Sequence, residues 1–172
     1  MNKKDNIKLN DQGLSLIEII IVLAIMTIIG AATILSTRVA TDKHVNSCAE
    51  KIASSLEQTR GLALGKREAY LTIAQDADGV HLQMYVDGKP YGELFDVGRP
   101  GVQVNLLYSD GSSSSLASSV VRIDFSRSNG SATTNPASVV EIAVTNTSRE
   151  IHIKIDKFTG RVSTHWASDC SL

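Results

Sequence analysis

The sequence predicts an α+β protein in which one long N-terminal helix packs on an antiparallel β-sheet or β-sandwich. Three observations carry that expectation. Ile19 to Thr37 is free of charged residues and overwhelmingly apolar. The apolar positions that follow, Val45, Cys48, Ala49, Ile52, Leu56 and Ala63, recur at helical spacing. From Tyr70 onward the period changes to two and turn signals appear at short intervals.

The helix comes first. Leu14 to Leu35, taken as a helix at ~1.5 Å per residue, would extend ~33 Å, enough for a hydrocarbon core of ~30 Å. In front of it stands MNKKDNIKLNDQ, with more lysines than aspartates. The positive-inside tendency then keeps the N-terminus cytoplasmic and sends the rest out. Beyond the apolar run, Lys43, Asn46, Glu50, Lys51, Ser54, Glu57 and Gln58 fill the face opposite the apolar stripe, which makes this half amphipathic. Gly65 is the expected C-cap, with Arg60, Lys66 and Arg67 near the negative end of the helix dipole.

The β elements follow in order. YLTIAQ passes through Asp76-Ala77-Asp78-Gly79 into VHLQMYV, and Asp87-Gly88 turns the chain toward YGELF. VQVNLL, VVRIDF, VVEIAV and EIHIKI alternate apolar and polar positions, and a turn at Thr159-Gly160 leads to a short last strand. Half-polar alternation with short connections indicates antiparallel sheet with one solvated face; the amphipathic helix is the natural cover for the other. Two stretches break the rhythm, SDGSSSSLASS (109–119) and SRSNGSATTNPAS (126–138), and both read as exposed loops.

At 172 residues and a formal charge of −1, the chain supports one domain with an appendage and shows no global pull toward nucleic acid or anionic lipid. Its two cysteines, Cys48 and Cys170, belong to no CxxC or Cys/His cluster, which argues against structural zinc. Outside the cytoplasm they could pair and tie the tail to the helix; otherwise Cys48 is a small buried hydrophobe and Cys170 an unpaired thiol. The four histidines, His44, His81, His152 and His165, fall on different elements without ligand spacing. Each reads as an exposed side chain, so no metal site is expected. Asp76 and Asp78 before Gly79 suit a hairpin better than a calcium loop, because the later acidic ligand is missing. No hydrolase, phosphate-loop or zincin motif is present. The expectation is therefore no enzyme and no cofactor.

The apolar run holds one puzzle, Glu18. An ordinary signal peptide has a shorter apolar stretch, although Gly30-Ala31-Ala32 could mimic its cleavage site. A plain anchor leaves the carboxylate, which disfavours insertion by up to ~3 kcal/mol, without a role. If the chain is cut between Gly13 and Leu14, the new α-amino group of Leu14 and the carboxylate of Glu18 lie one helical turn apart, and the carboxylate also suits the helix dipole.

GLSLIEIIIVLAIMTIIGAA resembles the class III prepilin signal of type IV pilins and type II secretion pseudopilins, with Leu14 in place of the usual Phe and Ser15 in place of the usual Thr. The resemblance implies cleavage after Gly13 and N-methylation of Leu14 by a prepilin peptidase/N-methyltransferase, with Glu18 as the family's assembly glutamate. More loosely, RIDFSRSNGSA and IHIKIDKFTGRV are similar to the H-type minor pseudopilins and FimT-type minor pilins (GspH/FimT), through Phe125, Gly130, Thr159, Gly160, Arg161 and Val162. The implied layout is a leader over 1–13, a transmembrane and assembly helix over 14–37, its amphipathic half over 38–65 and a β-rich domain over 66–172. The implied setting is a single-pass inner-membrane protein with its globular domain outside the cytoplasm. Its implied partners are other pilin or pseudopilin subunits, the inner-membrane assembly platform and the lipid bilayer. Because some FimT-like pilins serve DNA uptake, Lys154, Lys157 and Arg161 are the weak candidates for a DNA contact. The second arginine that DNA-binding relatives carry near the tail is missing here.

Overall fold

The computed structural model describes residues 16–167, without the side chains of 31–41 and 118. The fold is α+β: helix α1 (Leu16–Leu64) precedes ten strands, β1 (Ala69–Gln75), β2 (Val80–Val86), β3 (Lys89–Gly98), β4 (Gln103–Tyr108), β5 (Ser113–Ser115), β6 (Val120–Phe125), β7 (Ala132–Asn135), β8 (Val139–Thr145), β9 (Glu150–Ile155) and β10 (Val162–Trp166). The chain divides into two units, Met1–Thr37 and Arg38–Leu172. In the first, residues 16–37 are helical, and the side chains described there, those of 16–30, are exposed.

The second unit holds two five-stranded sheets, one in the order β3-β2-β1-β6-β7 and the other β10-β9-β8-β4-β5, with every pairing antiparallel. The period-two pattern sets the registers. Leu71 faces Met84 on β2 and Ile123 on β6, and Val144 faces Val104 on β4 and Ile151 on β9. Residues directly opposite share a face, so each apolar set points the same way. Val45, Cys48, Ala49, Ile52, Leu56 and Ala63 of α1 join these residues in one continuous core. The helical stripe is as the spacing predicts, and Thr59 completes it: fully buried, its hydroxyl donates to the Ser55 carbonyl at 2.7 Å.

Polar stitches hold the layers. The Gln75 side-chain amide donates to Val102 O at 3.1 Å and its carbonyl accepts from Val104 N at 3.0 Å, joining β1 to the start of β4. Asp42 accepts from the Ser148 hydroxyl at 2.9 Å and lies 3.0 Å from Arg149 Nε, fastening the helix to the β8–β9 turn. On the solvated face of the first sheet, Tyr70 stacks on Tyr85 at 4.7 Å, and the Arg122 guanidinium covers Tyr70 at 3.6 Å while pairing with Asp124.

The β6–β7 and β9–β10 connections share one hydrogen-bond pattern. Ser126 N donates to Ser131 O and Gly130 N to Ser126 O; likewise Asp156 N donates to Arg161 O and Gly160 N to Asp156 O. Gly130 and Gly160 both sit at positive φ, 73° and 63°. The two turns meet backbone to backbone: a Cβ on Gly160 would fall 1.9 Å from Gly130 O. A Cβ on Gly130 would come within 3.2 Å of Arg60 Nε and Leu64 Cδ2 on the helix. Ala132 N donates to Lys157 O, and Arg60 Nε to Thr159 O at 2.8 Å.

Three expectations are corrected here. Both supposed loops contain strand. Within 109–119, β5 pairs with β4, and the adjoining 3-10 turn (Leu116–Ser118) places Leu116 in the core with no exposed surface. Within 126–138, β7 extends β6 at the sheet edge. Serine and threonine satisfy an edge ladder through their backbones, so a polar composition concealed both. At the helix end, the left-handed position is taken by Lys66 (φ 72°) rather than Gly65. The last turn has no basic residue: Arg60 reaches the β9–β10 turn and Arg67 pairs with Asp87 at 3.0 Å.

Leu116→Ala should cost about 2–5 kcal/mol in denaturant unfolding, whereas Ser113→Ala, on the exposed edge, should change stability by less than about 0.5 kcal/mol. Gly160→Ala should cost more than about 1 kcal/mol, because left-handed backbone and contact with Gly130 O both penalise the added methyl.

Candidate functional site

The N-terminal segment has the chemistry of a surface built to be covered. Leu16 is 76% exposed, Met26 68% and Ile28 70%, and the intervening isoleucines, valine and leucine are exposed as well. Apolar side chains all round a helix require lipid or other helices as neighbours. Glu18 lies in the first turn of α1, where a carboxylate complements the amide end of the helix. It is the one acidic side chain of this apolar stretch and is itself exposed. Gly13 and Leu14, the expected cleavage and methylation positions, lie outside the described residues. No described helix is long and apolar enough to cross a membrane; within the expected span, side chains are described only as far as residue 30.

In the second unit, Cys48 is buried against the β3 end, with its sulfur 3.2 Å from the position a Cβ on Gly98 would occupy. Burial pushes its thiol up to about 12, with Lys51 opposing weakly. The thiol is free; Cys170 lies outside the described residues. Of the candidate basic residues, Lys157 and Arg161 belong to the β9–β10 turn, and Arg161 lines a cleft with Glu57 and Arg60. Lys154, on β9, lies 3.9 Å from the Glu141 carboxylate. Two of the three therefore have acidic residues beside them.

The histidines differ most from expectation. His81 and His152 are only partly exposed, and both are held by carboxylates. His81 Nδ1 lies 2.6 Å from Asp96 and its Nε2 2.9 Å from Asp76, bridging β3 to the β1–β2 turn. Asp76 also accepts from Asp78 N and Gly79 N, so the Asp-Ala-Asp-Gly run is a hairpin turn as expected. His152 Nδ1 lies 3.2 Å from Glu141 and its Nε2 3.5 Å from Glu150. His165 stands directly opposite His152, the rings stacked at 5.3 Å. Sequence spacing could not reveal this group; the strand register does.

Residues 8–34 match a family model described as the prokaryotic N-terminal methylation motif. The segment is a class III methylation signal. It contains Gly13, Leu14 and Glu18 and ends within the helix. A signal of this class implies processing by a prepilin peptidase and assembly with other pilins, and so points to a type IV pilin-like or pseudopilin protein. No curated protein and no solved structure matches the chain.

Hydrogen bonds donated by His81 to Asp76 and then to Asp96 hold the His81 pKa above its ordinary value against a smaller opposing effect of burial, and the bond accepted from His81 is the first cause holding Asp76 below its own. A raised histidine pKa stabilises fully below the ordinary value of ~6.5, and that contribution is lost as pH rises through the raised value. The Asp76 contribution is present above the ordinary carboxylate range and is lost as pH falls through its lowered pKa. Between about pH 5.5 and pH 9, melting curves of the intact chain should therefore show a smaller decline for His81→Asn than for the parent protein.

Proposed function

We propose that this chain is a structural subunit of a type IV pilus or type II secretion pseudopilus, a minor pilin or pseudopilin acting in fibre initiation or at the tip, with no reaction of its own. The observation that supports this reading best is the methylation signal over residues 8–34, a single stretch of sequence that contains a cleavable glycine, a methylatable terminus and Glu18.

The proposed sequence of events uses only these residues. Leu14–Leu35 anchors the precursor in the inner membrane with the lysine-rich leader inside. Cleavage after Gly13 creates an ammonium group on Leu14, which is then methylated. In the fibre, the exposed apolar helices bundle. There the carboxylate of Glu18 meets the terminal amine of a neighbouring subunit. An unpartnered charge in such a bundle is costly, so the pair sets the register as each subunit is added. The β domain coats the outside, and its GspH/FimT-like turns hold it to the helix that enters the bundle.

The mass and N-terminal sequence of the mature protein test this. Material from cells with the cognate peptidase should begin at N-methyl-Leu14; a start near Thr33 would indicate an ordinary signal peptide instead, and retention of all thirteen leader residues would overturn the proposal. Glu18→Ala should insert into membranes as well as or better than the parent, by up to ~3 kcal/mol, yet should be depleted from sheared or cross-linked fibres.

A further inference from the structure

Three neighbouring strands of the second sheet place three metal-ligating side chains on its solvated face. Glu141 comes from β8, His152 from β9 and His165 from β10. The registers fix this: His152 stands opposite Ala143 and His165, and Glu141 is two residues from Ala143, hence on the same side. One ligating atom from each lies within 4.8 Å of the other two. We propose that Glu141, His152 and His165 form a binding site for a divalent transition ion of the zinc class.

Three features beyond proximity favour a metal over a simple ion pair. The first is donor chemistry. Two imidazoles and one carboxylate suit zinc and its Irving–Williams neighbours, whereas calcium and magnesium require oxygen cages. The second is spacing. Zinc bonds of ~2.0–2.2 Å place adjacent tetrahedral ligands about 3.3 Å apart. His152 Nδ1 and Glu141 Oε2 are already 3.2 Å apart. His165 must close by up to roughly 1.5 Å toward that tetrahedral separation, turning out of its stack on His152, and it sits on β10, the edge strand. The third is the shell behind the ligands. With Nδ1 toward the metal, the N–H at Nε2 faces Glu150, 3.5 Å away, the carboxylate–histidine–metal relay that fixes a ligand's tautomer. Lys154 reaches the other Glu141 oxygen, Oε1, at 3.9 Å and leaves Oε2 for the ion.

The surroundings agree with this assignment. His152 and Glu141 retain only 12% and 20% of their side-chain exposure, so the ion would be partly shielded from water. The three donors stand on paired strands rather than loops, and rigid placement lowers the cost of organising a site. Three protein ligands leave at least one coordination position to solvent.

The test is a zinc titration of the full chain in detergent, after chelation and dialysis, against a chromophoric competitor; cobalt is substituted in parallel for its visible ligand-field spectrum. Expected are one zinc per chain at micromolar concentration and a cobalt spectrum of nitrogen–oxygen type. His152→Asn and His165→Asn should each weaken binding by at least about tenfold, and Glu150→Gln by about tenfold with stoichiometry kept. His81→Asn should bind as the parent does. Circular dichroism verifies that each variant is folded, and His165→Asn, at the sheet edge, keeps the test valid if His152→Asn is not. Failure of the parent to compete for zinc at about 100 µM, far above the range of genuine protein sites, would overturn the proposal. Undiminished binding by His165→Asn would overturn it equally. Neither result bears on the methylation signal, so this inference and the fibre reading stand or fall separately.

Discussion

The second unit depends on two turns that share one place. Gly160 approaches the Gly130 carbonyl so closely that it cannot carry a side chain, and the C-terminal part of α1 lies against the same spot through Arg60 and Leu64, which crowd Gly130. Because one turn closes a hairpin of the first sheet and the other a hairpin of the second, this contact joins both sheets and the helix at once. The apolar core could tolerate small shifts among its members. A backbone-to-backbone contact cannot, because peptide groups have no rotamers to adjust.

Much of this is legible from residue order. The apolar stripe from Val45 to Ala63 gives the buried face of α1, and simple alternation gives the inner faces of β1, β2, β4, β6, β8 and β9. The Asp-Gly and Thr-Gly turns mark their hairpins. What escapes does so for physical reasons. β5 and β7 are edge strands whose pairing is made by backbone alone, so serine and threonine serve there without hydrophobic signature. Leu116 sits in a low-complexity run that masks a core residue. The arginines near the helix end suggest dipole partners, yet Arg60 and Arg67 bind tertiary neighbours instead, a choice that only the folded chain reveals.

The functional residues divide in the same way. The methylation signal is a local pattern, fully written in consecutive residues, so residue order alone displays it. The Glu141–His152–His165 group is the opposite: its members come from three strands, and only strand register brings them together. His81 likewise gains Asp76 from the β1–β2 turn and Asp96 from the facing strand β3. Histidine roles on a sheet are set by cross-strand neighbours, which residue spacing does not encode.

Cys48 adds one more consequence. Its sulfur is sealed between the helix and the β3 end, and its thiol is held in the protonated form. The thiolate is the reactive species, so alkylating reagents are excluded on both steric and acid–base grounds while the layers stay together. The residue is thus a built-in clock for local breathing: the rate at which it becomes labelled would measure how often the helix lifts from the sheets, without any engineered probe.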